Sequence, residues 1–124
     1  MTHDEQLVRR LYAGFNKRDI DAVLTQLADD VSWANGMEGT HVQGRAAVRD
    51  YWTNQWSVID PTVEPLGVSR GDDGATLVEV HQVVRDLGGK TLLDEVVHHA
   101  FHVRDGKVIR FDIVGPSALK NLSH

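Results

Sequence analysis

The chain has no cysteine, which excludes disulfides, thiolate metal sites and a cysteine nucleophile. It also lacks a basic stripe. Its 13 Lys and Arg are scattered among 18 Asp and Glu, giving a net charge of -5 and a pI near 5.7. Nothing there neutralises a phosphate backbone, so nucleic acid is not an expected partner. No apolar run is long enough for a signal peptide or a membrane span, so a soluble, cytoplasmic protein that does not engage membranes is expected. Phosphate-cradling glycine loops, dinucleotide fingerprints and triad signatures are missing too, and no cofactor is expected.

What is present suffices for one core. The 124 residues are 41% hydrophobic and 25% charged, which fits a single domain over 1–124 with its core at about 5–114. Thr2 and Glu5 match a capping box, and Leu7, Val8, Leu11, Tyr12 and Phe15 recur at helical spacing, predicting a helix from about His3 to Phe15. Asn16 ends it and Asp19 caps a second helix, whose stripe is Ile20, Val23, Leu24 and Leu27. Val31-Ser-Trp-Ala-Asn35 alternates as a short strand and places Val31, Trp33 and Asn35 on one face, before a turn at Gly36 to Gly39. A third helix from about Gly44 to Trp56 carries Val48, Tyr51, Trp52 and Trp56 on an aromatic stripe.

After Pro61 the helical period vanishes. Turn signals at Gly71-Asp-Asp-Gly74, Gly88-Gly89 and Asp105-Gly106 divide the remainder into four strands of a meander. Three helices followed by antiparallel strands predict an α+β fold with the helices on one face of a curved sheet. Ala118 to His124 reads as a loosely held tail.

Three stretches carry a family resemblance: Leu11-Tyr-Ala-Gly-Phe-Asn-Lys-Arg-Asp-Ile-Asp-Ala-Val-Leu-Thr-Gln-Leu-Ala-Asp-Asp-Val31, Gly44-Arg-Ala-Ala-Val-Arg-Asp-Tyr-Trp52 and Arg104-Asp-Gly-Lys-Val-Ile109. Together they resemble the nuclear transport factor 2-like superfamily, in its SnoaL-like and ketosteroid isomerase-like branches. The resemblance implies a cone: three helices on a strongly bent, mostly antiparallel sheet that encloses a largely apolar pocket, with pairing of two copies through the convex sheet face. It also implies where chemistry would lie. The proton-shuttling aspartate of ketosteroid isomerases corresponds to Asn35, their oxyanion-hole tyrosine to Leu11, and their protonated acid to His99. The last-strand acid of polyketide cyclases and limonene epoxide hydrolase-like members corresponds to Ile113, next to Asp112.

Alternation separates His98 from His99. A two-residue loop at Gly88-Gly89 would oppose Val78 to His99, Val80 to Val97 and Gln82 to Glu95 on one face, and Glu79 to His98 and Arg85 to Leu92 on the other. His99 and Phe101 then face the helices, while His98 and His102 face out. His99 is the candidate acid-base or oxyanion-donor group, with a hydrogen-bonded core histidine as the alternative. Asn35 either orients a substrate or water or stabilises its turn. Gln82 and Glu95 either bind a polar ligand group or satisfy each other. Trp33, Tyr51 and Trp52 either stack on a ligand, with Phe101, or fill the core.

Asp112 depends on register. A two-residue loop at Asp105-Gly106 opposes it to His99, whereas a three-residue loop with a bulge opposes Phe111 instead. Patterning favours the second, with Ile109, Phe111 and Ile113 inward and Val108, Arg110 and Asp112 outward. A metal is not expected, because strand residues four apart, such as His98 and His102, are separated by roughly 13 Å while zinc bonds are about 2.1 Å. A cross-strand site of His81, His98 and Glu79 competes with a plain Glu79–His98 ion pair. Two functions follow: an isomerase, cyclase or hydratase acting by proton transfer on a small hydrophobic or aromatic carbonyl metabolite, or a non-catalytic binding or dimerisation module of the same shape.

Overall fold

A computed structural model describes residues 3–35, 39–71 and 73–114. Thr2 of the capping box, Asp72, most of the Gly36 to Gly39 turn and the 118–124 tail lie outside the described residues. The elements run α1 (His3–Asn16), α2 (Ile20–Leu24), β1 (Leu27–Asn35), β2 (Thr40–Gln43), α3 (Arg45–Val58), β3 (Asp60–Arg70), β4 (Thr76–Arg85), β5 (Thr91–Arg104) and β6 (Lys107–Val114). One six-stranded sheet has the order β2-β1-β6-β5-β4-β3. The meander of four strands forms as expected, and β1 joins it in parallel beside β6.

Helix α1 buries Leu7, Val8, Leu11 and Tyr12, with Asp4 and Glu5 in its first turn, where carboxylates suit the helix dipole. Its end is fixed by Asn16, whose side-chain amide donates to Val63 O at 2.7 Å and accepts from Val63 N at 2.9 Å. That side chain stands in for a neighbouring strand along β3. Gly14 lets α2 approach: a Cβ there would lie 2.6 Å from Val23 Cγ2. Asp19 caps α2 through Ala22 N–H at 3.3 Å.

Leu27 corrects the expected second helix. The helix stops at Leu24, Thr25 caps it, and Leu27 opens β1 opposite Val108. The pairing is available because Val108 N–H donates to Gln26 O at 2.9 Å, so the sheet takes the chain before another helical turn can form. Strand β1 is therefore longer than its alternating segment suggested. The short edge strand β2 was not read from sequence, since only half-buried Val42 marks it.

Two hairpins decide which side chains face the helices. Between β4 and β5, Asp86 N–H donates to Lys90 O at 2.8 Å, so the loop is Leu87-Gly88-Gly89 rather than two residues, with Gly89 at φ 96°. Arg85 accordingly faces Thr91, not Leu92; Leu92 is extruded as a bulge, and beyond it Gln82 faces Glu95, Val80 faces Val97 and Val78 faces His99. The expected register thus holds in the body of the hairpin because loop and bulge offset each other. Between β5 and β6, Asp105 (φ 55°) and Gly106 (φ 76°) form a two-residue loop flanked by Arg104 and Lys107. A bulge at Ile109 then moves the register past both expected alternatives, and Ile113 faces His99.

The bulge also corrects the face assignment of β6. Val108 is fully buried and Ile109 is only half-buried, the reverse of simple alternation over that pair. Beyond the bulge, Phe111 and Ile113 face the core and Asp112 faces away, as patterning predicts. The main core lies between helices and sheet, with Trp52, Phe101, Leu27, Val8 and a set of valines fully enclosed. No helix among the described residues is long and apolar enough to cross a membrane.

Candidate functional site

A cavity of about 70 Å³ lies between the helices and the concave side of the sheet. Helix α1 contributes Leu11, Tyr12 and Phe15, and α3 contributes Tyr51, Trp52 and Gln55. The sheet contributes Trp33, Gln82, His99, Phe101 and Phe111. Among these and the other described lining residues there is no Asp, Glu, Lys or Arg. An unpaired ionic ligand would lose its hydration there without a counter-charge, so the walls suit a neutral molecule.

Polar function is concentrated in a pair. Tyr12 Oη and His99 Nδ1 lie 2.8 Å apart, with both residues buried. Their rings are nearly parallel, 11° apart with centroids at 5.9 Å, and Phe111 meets the imidazole edge-on at 4.7 Å. Loss of hydration, followed by the neighbouring charge of His98, lowers the His99 pKa to about 3. Burial pushes the Tyr12 phenol well above its ordinary range. Both groups are therefore neutral near pH 7. With the imidazole hydrogen on Nε2, Tyr12 donates to Nδ1 and the Nε2–H is a donor of its own; in the other tautomer Nδ1–H donates to Tyr12 and the phenol hydrogen is released. Either way the pair can present a hydrogen bond to an oxygen, while so weakly basic an imidazole is a poor proton acceptor.

The aromatic wall is continuous. Trp33 stacks on Phe111 at 4.2 Å and meets Trp52 edge-on at 5.2 Å, and Phe15 meets Trp52 at 5.7 Å. Such contacts both fill the core and present flat faces to the cavity. Gln55 Nε2 donates to Tyr51 Oη at 3.1 Å. Gln82 is 5% exposed, and its Nε2 has no hydrogen-bond partner.

Of the residues singled out from sequence, His99, Trp33, Tyr51, Trp52, Gln82 and Phe101 line the cavity. Three others do not. Asn35 is buried at the end of β1, paired with Thr40, its backbone carbonyl accepts from Gly39 N at 2.8 Å, and it is not among the described lining residues. Glu95 faces Gln82 across the strands but is not part of the lining, and its buried Oε1 lacks a partner, so the two do not satisfy each other. Asp112 is opposite Ala100, on the other face from His99, and bonds His41 at 2.8 Å and Arg110 at 2.7 Å. Burial raises its pKa, but the bonds to Arg110 and His41 outweigh that and leave it below its ordinary value. The His99–Asp112 dyad is not formed, because the Ile109 bulge inverts the required register.

Tyr12 is the residue that sequence reading missed. Its spacing assigns it to the α1 stripe, beside Leu11 at the resembling tyrosine position, and one step along the helix still lets its phenol reach His99. The available signal was chemical: a buried tyrosine hydroxyl needs a partner. On the convex face His98 pairs with Glu79 at 3.5 Å and His81 with Asp94 at 2.7 Å. No group of three potential metal ligands is assembled among the described residues, so the cross-strand cluster resolves into separate ion pairs.

The comparison with curated proteins gave no match. Solved structures are similar over nearly the whole chain. TerC, crystallised with polyporic acid, is 25% identical over 91% of each chain, with a TM-score of 0.80. A protein from Xanthomonas campestris pv. campestris, provisionally named a polyketide cyclase, is 28% identical over 90% of this chain and 88% of its own, with a TM-score of 0.72. SalBIII, an epoxide hydrolase/cyclase-like enzyme of pyran ring formation in polyether salinomycin, is 21% identical over 90% and 92%, with a TM-score of 0.74, a likeness of fold. The family model of the SnoaL-like domain matches residues 8–111, and the cone-like arrangement of helices on a mostly antiparallel sheet agrees with it: the chain belongs to the SnoaL-like family of the nuclear transport factor 2-like superfamily.

Proposed function

We propose that this protein binds a compact, neutral, largely apolar small molecule in the concave cavity and holds one of its oxygens at the Tyr12–His99 pair. The observation that carries this reading is a buried, uncharged phenol–imidazole pair set in an aromatic cavity with no charged residue among its described lining. The small volume favours a ligand no larger than one small ring. Neighbours named as a polyketide cyclase and an epoxide hydrolase/cyclase-like enzyme support a cyclase or isomerase type of family. In an enzyme, the neutral pair acts by polarising a carbonyl or stabilising the oxygen as it gains negative charge. His99 would be the donor, Tyr12 would set its tautomer, and Trp33, Trp52 and Phe101 would exclude water. No cofactor enters this scheme.

The same geometry favours a second reading. The missing carboxylate among the described lining residues removes the usual proton acceptor, as expected for a binding module that retains the cavity without the reaction. In either case we place the partner copy against the convex sheet face, where Val96 is half exposed between the His81–Asp94 and His98–Glu79 pairs.

Titration with cyclohexanone, followed by tryptophan fluorescence, tests binding. Saturation in wild-type protein and at least tenfold weaker binding in His99→Leu are expected, and absence of saturation would sink the reading. Deuterium exchange beside the ketone, followed by NMR, separates the two functions. An isomerase-type enzyme accelerates exchange and loses the acceleration in His99→Leu, whereas a binding module leaves exchange at the buffer rate.

A further inference from the structure

Building on the reading of the cavity as the ligand site, we infer that Gln82 is a second anchor and that the ligand carries an oxygen acceptor at each end. Gln82 is a buried lining residue whose Nε2 has no partner. Buried amide hydrogens are nearly always bonded, because they cannot return to water. The obvious partner declines the role: Glu95, opposite Gln82, also has a buried Oε1 without a partner. The other amide of the lining, Gln55, is occupied by Tyr51. An N–H donor has thus been kept unspent on the cavity wall.

Its position relative to His99 fixes the shape of the ligand. Val78 faces His99, and Gln82 lies four residues further along β4. At the rise of a strand this places the two anchors about 13 Å apart at their backbones. Both side chains line the same cavity, so one ligand can meet both. A ligand that meets both donors must carry oxygens at opposite ends. A molecule with one oxygen can satisfy only one anchor. Its specificity would therefore lie in the second oxygen, since a buried donor left unpaired discriminates more sharply than a lost apolar contact.

Two ketones of one skeleton test this. The probes are cyclohexane-1,4-dione and cyclohexanone, titrated by tryptophan fluorescence against wild-type protein, Gln82→Met and Gln82→Leu. The wild type should bind the dione about tenfold more tightly, the equivalent of one net hydrogen bond. Both variants should lose that preference, the ratio of dione to monoketone affinity falling to about one. Equal affinities in the wild type, or a preference that survives in the variants, would overturn the inference and leave the cavity reading standing. Failure of both ketones to bind wild-type protein would overturn the two together.

Discussion

Tyr12 on the first helix and His99 on the fifth strand meet at 2.8 Å, joining positions 87 residues apart in the chain. The bond ties α1 to the centre of the sheet, and burial keeps both rings neutral in the cavity wall. It has structural and functional consequences that can be separated.

Tyr12→Phe keeps the ring packing and deletes only the hydroxyl. His99 Nδ1 is then left buried without its partner, which should cost about 1–3 kcal/mol in urea unfolding at pH 7. A loss below a few tenths of a kcal/mol would show that the bond contributes nothing to the fold. Affinity for a ketone should fall in parallel.

His99 makes stability depend on pH in a fixed direction. Its folded pKa of about 3 lies below the ordinary value of 6.5, so the unfolded chain binds the extra proton more readily. The contribution of the neutral imidazole is fully present above about pH 6.5 and is lost as pH falls toward 3. The slope should approach 1.4 kcal/mol per pH unit within that window. Urea midpoints at pH 7 and pH 5 for wild type and His99→Leu check it. The variant should lose less stability than the wild type on acidification, and histidine NMR should show His99 unprotonated at pH 5.

Asp112→Asn probes the alternative register directly. Asp112 bonds His41 and Arg110 away from the cavity, so the substitution should leave ketone affinity unchanged. The stability cost should stay within about 1 kcal/mol, as for other partly exposed ion pairs. A large drop in affinity or turnover would place the carboxylate at the site and contradict the observed pairing.

The Ile109 bulge predicts an asymmetry between neighbours. Val108→Asp buries a carboxylate at a fully enclosed position and should prevent folding or cost more than about 3 kcal/mol, whereas Ile109→Asp should be milder by at least half. Circular dichroism melts of the two variants decide it. Equal effects would mean that simple alternation runs through β6.

Much of the architecture was legible because it depends on local periodicity. The α1 stripe from Leu7 to Phe15, the aromatic stripe of α3 and the turn glycines at 74, 89 and 106 each act within a few residues. The inward orientation of His99, Phe101 and Gln82 was legible for the same reason, with the added good fortune that the Leu87 to Gly89 loop and the Leu92 bulge offset one another. Leu27 failed because its helical spacing competes with a pairing to Val108, which is distant in sequence. Asn35 and Glu95 were assigned to the correct face, yet neither lines the cavity, since a face does not specify depth along a strand.

The sequence by itself determined an α+β chain of SnoaL-like type, a concave side bearing His99 and the aromatic residues, and the absence of cysteine chemistry. The SnoaL-like type follows from the family resemblance of residues 11–31, 44–52 and 104–109, and the rest from composition, alternation and short-range turns. Only the tertiary structure decided that Tyr12 is the partner of His99, that Asp112 is not, and that Gln82 is left with an unspent donor. A bulge at Ile109 extrudes one residue and turns a register over, and the lean of α1 carries a phenol across to the sheet. Both are set by packing between segments far apart in the chain, where spacing along the sequence holds no information.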